Sequence, residues 1–133
     1  MGVRNSEDVL TKQRLNRLET FLSAWNARDV KTLMDCMAEN CVFYSSAGTD
    51  ASGTQFIGRD TVQKSYAKLF ETFPQAAWTN GCHHVLGDIG LSSWRFIGVN
   101  NDGMTIEVDG CDIFSFTGDL IASKDSYRKT RSC

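Results

Sequence analysis

Residues 104–129, MTIEVDGCDIFSFTGDLIASKDSYRK, decide the fold. Two β-rich runs, Met104 to Phe116 and Leu120 to Lys129, flank Thr117-Gly118-Asp119, a glycine-centred stretch of the kind that closes a hairpin. The same pattern extends upstream. Ala76 to Leu86 and Leu91 to Val99 are strand-like, Gly87-Asp88 separates them, and Asn101-Asp102-Gly103 leads into Met104. Four strands joined by short turns read as an antiparallel meander.

Ahead of the meander the period changes from two to 3.6. Over Glu7 to Trp25, Leu15, Leu18, Leu22 and Trp25 recur at helical spacing, Phe21 broadens the stripe, and Lys12, Arg14 and Arg17 lie opposite. Asn5 or Ser6 can cap this helix, and Glu7 and Asp8 suit the positive end of its dipole. Asp29 can cap a second, shorter helix with Val30, Leu33, Met34 and Met37 on one face. Cys41 to Tyr44 reads as a strand leading into a long polar loop, Ser45 to Gly58, at the border of a pocket. From Asp60 to Phe73, Val62, Tyr66, Leu69, Phe70 and Phe73 share a face, and Pro74, the only proline, stops this third helix. Three helices followed by a meander predict an α+β domain with helices on one face of the sheet. The length of the strands predicts a bent sheet.

The 133 residues suit one domain spanning 1–133, with 1–6 and 130–133 as loose ends. Hydrophobic residues at 41% and charged residues at 23% match an ordinary globular chain. The net charge of -2 is interspersed, without the basic stripe that follows a phosphate backbone, so nucleic acid is not an expected partner. Met1 to Leu10 lack the pattern of a signal peptide, and no apolar run approaches the roughly 18 residues that cross a bilayer, so no membrane partner and a cytoplasmic location are expected. Cys36, Cys41, Cys82, Cys111 and Cys133 form an odd set without C-x-x-C spacing, expected to be reduced core fillers. Adjacent Cys82, His83 and His84 point to alternating faces of a strand, which argues against a metal site.

From Phe21-Leu22-Ser23-Ala24-Trp25-Asn26-Ala27-Arg28-Asp29, through Ala38-Glu39-Asn40-Cys41-Val42-Phe43, to Cys111-Asp112-Ile113-Phe114-Ser115-Phe116, the chain resembles the nuclear transport factor 2-like superfamily. That superfamily includes ketosteroid isomerases, SnoaL-like polyketide cyclases, scytalone dehydratases and limonene epoxide hydrolases. The resemblance implies a cone-shaped fold, helices and a curved sheet around a hydrophobic pocket for a small, largely apolar molecule, and a homodimer formed by the outer sheet face. It names no reaction.

The even positions from 104 to 116 read Met104, Ile106, Val108, Gly110, Asp112, Phe114 and Phe116, so one carboxylate interrupts an apolar row. Asp112 is therefore expected to line the pocket, as a proton donor or a hydrogen-bond partner of a ligand oxygen. The resemblance places it where ketosteroid isomerases carry an acidic group of their oxyanion hole. The alternative is a structural ion pair: with Phe116 opposite Leu120, Lys124 faces Asp112, whereas a one-residue slip brings Asp125 there. His84 is the second catalytic candidate, on the same face as Ser92, Trp94 and Phe96, with His83 competing from the other face. Scytalone dehydratases are similar in having an acid–base histidine just ahead of this hairpin turn. Tyr44, Tyr66, Trp78, Trp94, Phe96 and Phe114 are expected to line the cavity and favour a flat or cyclic ligand. Lys124 and Arg128 share strand parity, with Arg128 at the mouth. The relatives' other machinery is missing: Ser45 stands where ketosteroid isomerases have their base, and Trp94, Phe96 and Ser126 stand at the epoxide-hydrolase positions. These residues predict a cyclase, isomerase or lyase using acid–base chemistry without a cofactor, with a non-catalytic ligand-binding domain as the alternative.

Overall fold

Helix α1 spans Gly2–Ala27 in the computed structural model, which describes the backbone of residues 2–132 and the side chains of residues 6–132. It begins earlier than the periodicity predicts, so Ser6 lies inside it and not at its first turn; the Asn5 side chain lies outside the described residues. Leu18, Phe21, Ala24 and Trp25 are buried, as the stripe requires. Arg14, expected on the solvent side, is buried too. Its Nε donates to Gly118 O and its Nη1 to Gly87 O, both at 2.7 Å, with the cation 5.3 Å from the Phe116 ring. The carbonyls of two hairpin turns need donors, and one guanidinium supplies both.

Helix α2 (Val30–Asp35) is capped by Asp29, whose Oδ1 accepts from Thr32 N at 3.1 Å. Strand β1 (Met37–Tyr44) follows at once, so Met37 opens a strand and does not belong to the second helix. Within the expected loop, Gln55–Ile57 forms a short strand β2 paired antiparallel to β1. Helix α3 (Arg59–Thr72) ends just before Pro74. Strands β3 (Ala77–Leu86), β4 (Ile89–Val99), β5 (Thr105–Thr117) and β6 (Leu120–Arg128) form the predicted meander.

The sheet has six strands in the order β2-β1-β6-β5-β4-β3, and β1 runs parallel to β6. It is therefore mixed, where the sequence implied an antiparallel sheet, because β1 reaches the free edge of the meander only after the whole chain has folded back. No helix is long and apolar enough to cross a membrane.

Two irregularities set which residues face inward. In β3, Thr79 pairs with Arg95 but Cys82 pairs with Ser93, so one extra residue is inserted around Asn80 (φ 58) and Gly81. In β6, Phe116 pairs with Ile121 but Ser115 pairs with Ser123, leaving Ala122 as the extra residue. A one-residue bulge exchanges the two faces for everything beyond it.

Candidate functional site

The concave side of the sheet, α1, α3 and the 45–47 loop enclose a cavity of about 770 Å³. Its apolar wall comes from Trp25, Phe43, Phe56, Trp78 and Phe114, one each from α1, β1, β2, β3 and β5, and from Phe73 just past the end of α3. The inward positions of β4, β5 and β6 add Ser92, Trp94, Asp112, Lys124, Ser126 and Arg128.

Asp112 is 6% exposed, and every partner facing it is a donor. Trp94 Nε1 donates to Oδ2 at 3.0 Å, Ser126 Oγ donates to Oδ1 at 2.5 Å, and Lys124 Nζ lies 3.7 Å from Oδ1. Lys124 Nζ also donates to Ser126 Oγ at 3.0 Å, so the hydroxyl links ammonium and carboxylate. In this pattern Asp112 accepts hydrogen bonds from Trp94 and Ser126. The Lys124 ammonium sits among rings, 4.3 Å from the Phe43 centroid, 5.1 Å from Trp25 and 5.4 Å from Tyr66. Burial pushes its pKa down, with Asp112 pulling in the opposite direction.

Gly110 makes the Trp94 contact possible. It faces Trp94 across β4 and β5, and a Cβ on it would lie 2.5 Å from both Trp94 Cη2 and Tyr127 O. With hydrogen alone there, the indole lies over β5 and its N–H reaches Asp112 two residues along.

The strand pairing places Asp112 opposite Ser126 and Lys124 opposite Phe114. The two-residue turn sets the register that alone would aim Asp125 inward, and the Ala122 bulge then turns Lys124 inward instead. Lys124 thus meets Asp112 as a diagonal neighbour, within reach of a long side chain.

Of the expected ligand-facing aromatics, Trp78, Trp94 and Phe114 line the cavity. Three do not. Tyr66 is fully buried in the core, its ring 4.8 Å from Trp25 and its hydroxyl 3.7 Å from Met37 Sδ, and burial holds its pKa well above the ordinary value. Phe96 is fully buried beneath Arg128, whose guanidinium lies 4.7 Å from its ring centre. Tyr44 faces away from the cavity because its neighbour Phe43 faces in, stacked on Phe56 at 5.5 Å. Phe43, Phe56, Phe73 and the helix-borne Lys64 and Lys68 are among the lining residues that the sequence reading missed.

His84 is exposed, with Nε2 3.4 Å from Cys82 Sγ. The two-residue turn at Gly87–Asp88 pairs His84 with the outward Leu91 and His83 with Ser92, so His83 takes the inner face, where its Nδ1 lies 2.6 Å from Ser92 Oγ. His83 does not itself line the cavity; it reaches it only through Ser92. Cys36 and Cys41 are buried in the core, whereas Cys82 is exposed, and Cys133 lies outside the described residues. Among the described residues, no group of three or more histidine, cysteine, aspartate or glutamate side chains could hold a metal ion.

The profile of the SnoaL-like domain matches residues 18–124, most of the chain and nearly all of the cavity lining. The chain belongs to the SnoaL-like family. It is similar to the solved structure of a candidate polyketide cyclase from Xanthomonas campestris pv. campestris, at 14% identity and a TM-score of 0.79, over 90% of this chain and 92% of that one. A candidate SnoaL-like polyketide cyclase from Jannaschia sp. CCS1 gives 15%, 0.79, 90% and 88%. A candidate isomerase from Bacillus subtilis gives 13%, 0.75, 89% and 87%. At these identities the likeness is one of fold: helices packed on the curved sheet of the nuclear transport factor 2-like cone. No curated protein sequence matches significantly.

Within this SnoaL-like domain the His83–Ser92 contact has a pH signature. Burial pushes the His83 imidazole below its ordinary value of 6.5, with Glu19 opposing. A base so depressed binds fewer protons folded than unfolded, so it costs stability as the pH falls through the unfolded value toward the folded one. Melting temperatures taken from about pH 8 down to about pH 5 should fall on the acid side, less in His83→Gln than in His84→Gln. Identical acid-side losses in the two variants would contradict the placement of His83.

Proposed function

We propose that the chain binds a small, apolar, ring-bearing molecule in this cavity and moves a proton next to a carbonyl of that molecule, without a cofactor. The observation that carries this reading is a buried carboxylate–ammonium pair, Asp112 with Lys124, opening onto an otherwise aromatic cavity. Lys124 has three N–H groups; one is taken by Ser126, and another can meet the carbonyl oxygen. Each Asp112 oxygen keeps a lone pair free of its present partners. Asp112 accepts a proton from the adjacent carbon, the C–H electron pair becomes the C=C bond of an enolate, and Lys124 stabilises the oxygen on which charge develops. Returning the proton from Asp112 to a different carbon completes an isomerisation; in a cyclisation the enolate carbon attacks a second carbonyl, whose oxygen becomes an alkoxide and takes the proton back from Asp112. The rings around the pair exclude water, which strengthens both contacts. Ser92 with His83 offers a route for the proton to reach solvent.

The test uses 2-tetralone as a ring ketone probe. In D₂O, its protons next to the carbonyl should exchange faster with the protein than in buffer, followed by proton NMR. Saturable binding without faster exchange would leave only the second reading, a non-catalytic binding domain. That reading is favoured by the fact that Trp94, Ser126 and Lys124 already satisfy Asp112 without a ligand.

The proposal includes a homodimer through the outer sheet face, where Leu91 and Ile113 pair across β4 and β5 and are 38% and 41% exposed. Burying such a face against a second copy closes an isologous contact. Light scattering should give twice the chain mass at micromolar concentration, and Ile113→Asp should halve it. A wild-type monomer would refute this part.

A further inference from the structure

We propose that the ligand of this cavity carries an anionic group, a carboxylate or an oxyanion of similar size, and that Arg128 holds it at the rim. The inference rests on the reading of the cavity as a small-molecule site and adds the chemical class of its occupant.

The cavity's charge is at odds with that of the protein. The chain carries a formal net charge of -2, yet the lining contains Lys64, Lys68, Lys124 and Arg128 against the single carboxylate of Asp112. Lys124 and Asp112 answer each other, so the three remaining cations have no acid in the cavity.

Arg128 is the most informative of these. Among the described residues every other arginine side chain is hydrogen-bonded: Arg14 to Gly87 O and Gly118 O, Arg17 and Arg95 to aspartates, and Arg28, Arg59 and Arg131 to backbone carbonyls. Arg128 has neither a hydrogen bond nor an ion pair among the described residues. It is half-buried on the inner face of β6, with the Phe96 and Phe73 rings 4.7 and 5.9 Å from its guanidinium carbon. With rings beside it and no hydrogen-bond partner, the guanidinium keeps its N–H groups for a planar oxyanion, which it can receive bidentately. Burial also lowers its pKa, in keeping with a partly dry site.

Position supports the assignment. Arg128 follows Ser126 and Lys124 on one face of β6, four residues from Lys124, or about 13 Å along the strand. Arg128 pairs with Gly110, two residues along β5 from Asp112, so Asp112 lies midway between the two cations; its charge is answered by Lys124, and Arg128 remains for the ligand. Lys64 and Lys68, one turn apart on α3, line the same cavity and favour the approach of a negative ligand.

The test compares 2-naphthoate with 2-naphthamide, which share a ring and differ in charge at neutral pH. Binding is followed by tryptophan emission, since Trp25, Trp78 and Trp94 all line the cavity. The wild-type protein should prefer the naphthoate by at least about tenfold at low salt. Arg128→Gln should reduce the preference to about threefold or less while naphthamide affinity stays within about threefold, and Arg128→Lys should retain part of it. Equal affinities in the wild type would overturn the anionic class and leave the cavity reading standing. A full preference in Arg128→Gln would overturn the assignment to Arg128. Binding of neither probe would overturn the cavity reading and this inference with it. The wild-type comparison decides the ligand class even where an Arg128 variant fails to fold.

Discussion

Asp112→Asn is expected to cost about 3–5 kcal/mol of folding stability, because it leaves the Lys124 ammonium buried without a counter-charge. The amide oxygen of Asn can still accept from Trp94 or Ser126, so most of the loss is electrostatic. Lys124→Met is expected to cost less, about 1–3 kcal/mol, since Trp94 and Ser126 still donate to the carboxylate left behind. The double variant should recover much of the Asp112→Asn deficit, with a coupling of about 2 kcal/mol or more. The deficit should also depend on pH with a definite sign. Burial already depresses Lys124, and loss of Asp112 depresses it further. The unfolded chain then binds more protons across the window up to the ordinary value of 10.5, so Asp112→Asn gains stability relative to wild type as the pH rises through that window. Urea melts at neutral and alkaline pH read both effects, and an additive cycle would show that the two groups do not interact.

Gly110→Ala is the second large effect. The added methyl meets an indole ring and a backbone carbonyl, neither of which is the loose end of a flexible side chain. Overpacking of this kind costs about 1–3 kcal/mol, and the displaced Trp94 would lose its hydrogen bond to Asp112 as well. Urea melts should show the loss and the Trp94 emission should shift toward that of a wetter indole. A variant with wild-type stability and emission would mean that the ring is not packed against Gly110.

The helices, the four long strands and the cone around a cavity were legible because each follows from a local period and turn residues. The parallel pairing of β1 with β6 was not, since nothing in Met37–Tyr44 encodes which strand it will meet. Facing was harder still. The row from Met104 to Phe116 gave Asp112 correctly as inward because β5 is regular against β4 over its whole length. His84 was misplaced because the turn at Gly87–Asp88 pairs it with Leu91, one residue away from the register that sets it beside Ser92, and a one-residue difference in turn length exchanges the two faces. Lys124 reached Asp112 by a different route from the one expected, since a turn register and a bulge each shifted β6 by one residue and together preserved its facing. Lys64 and Lys68 were passed over because they read as the solvent side of α3, and a cavity mouth is also a solvent side. Tyr66 and Phe96 went the other way, since aromatic residues that line a cavity and those that pack behind it carry the same pattern.

The most direct measurement of the central claim is the rate at which bound 2-tetralone exchanges its protons in D₂O, compared between the wild type and the Asp112→Asn/Lys124→Met double variant. The double variant removes both ends of the pair without stranding a charge, so it should remain folded and bind the probe within about threefold of wild type. If the pair moves the proton, exchange at saturating probe should fall by at least about tenfold. An unchanged exchange rate in a folded, probe-binding double variant would contradict the account and leave Asp112 and Lys124 as strand-holding groups in a binding cavity.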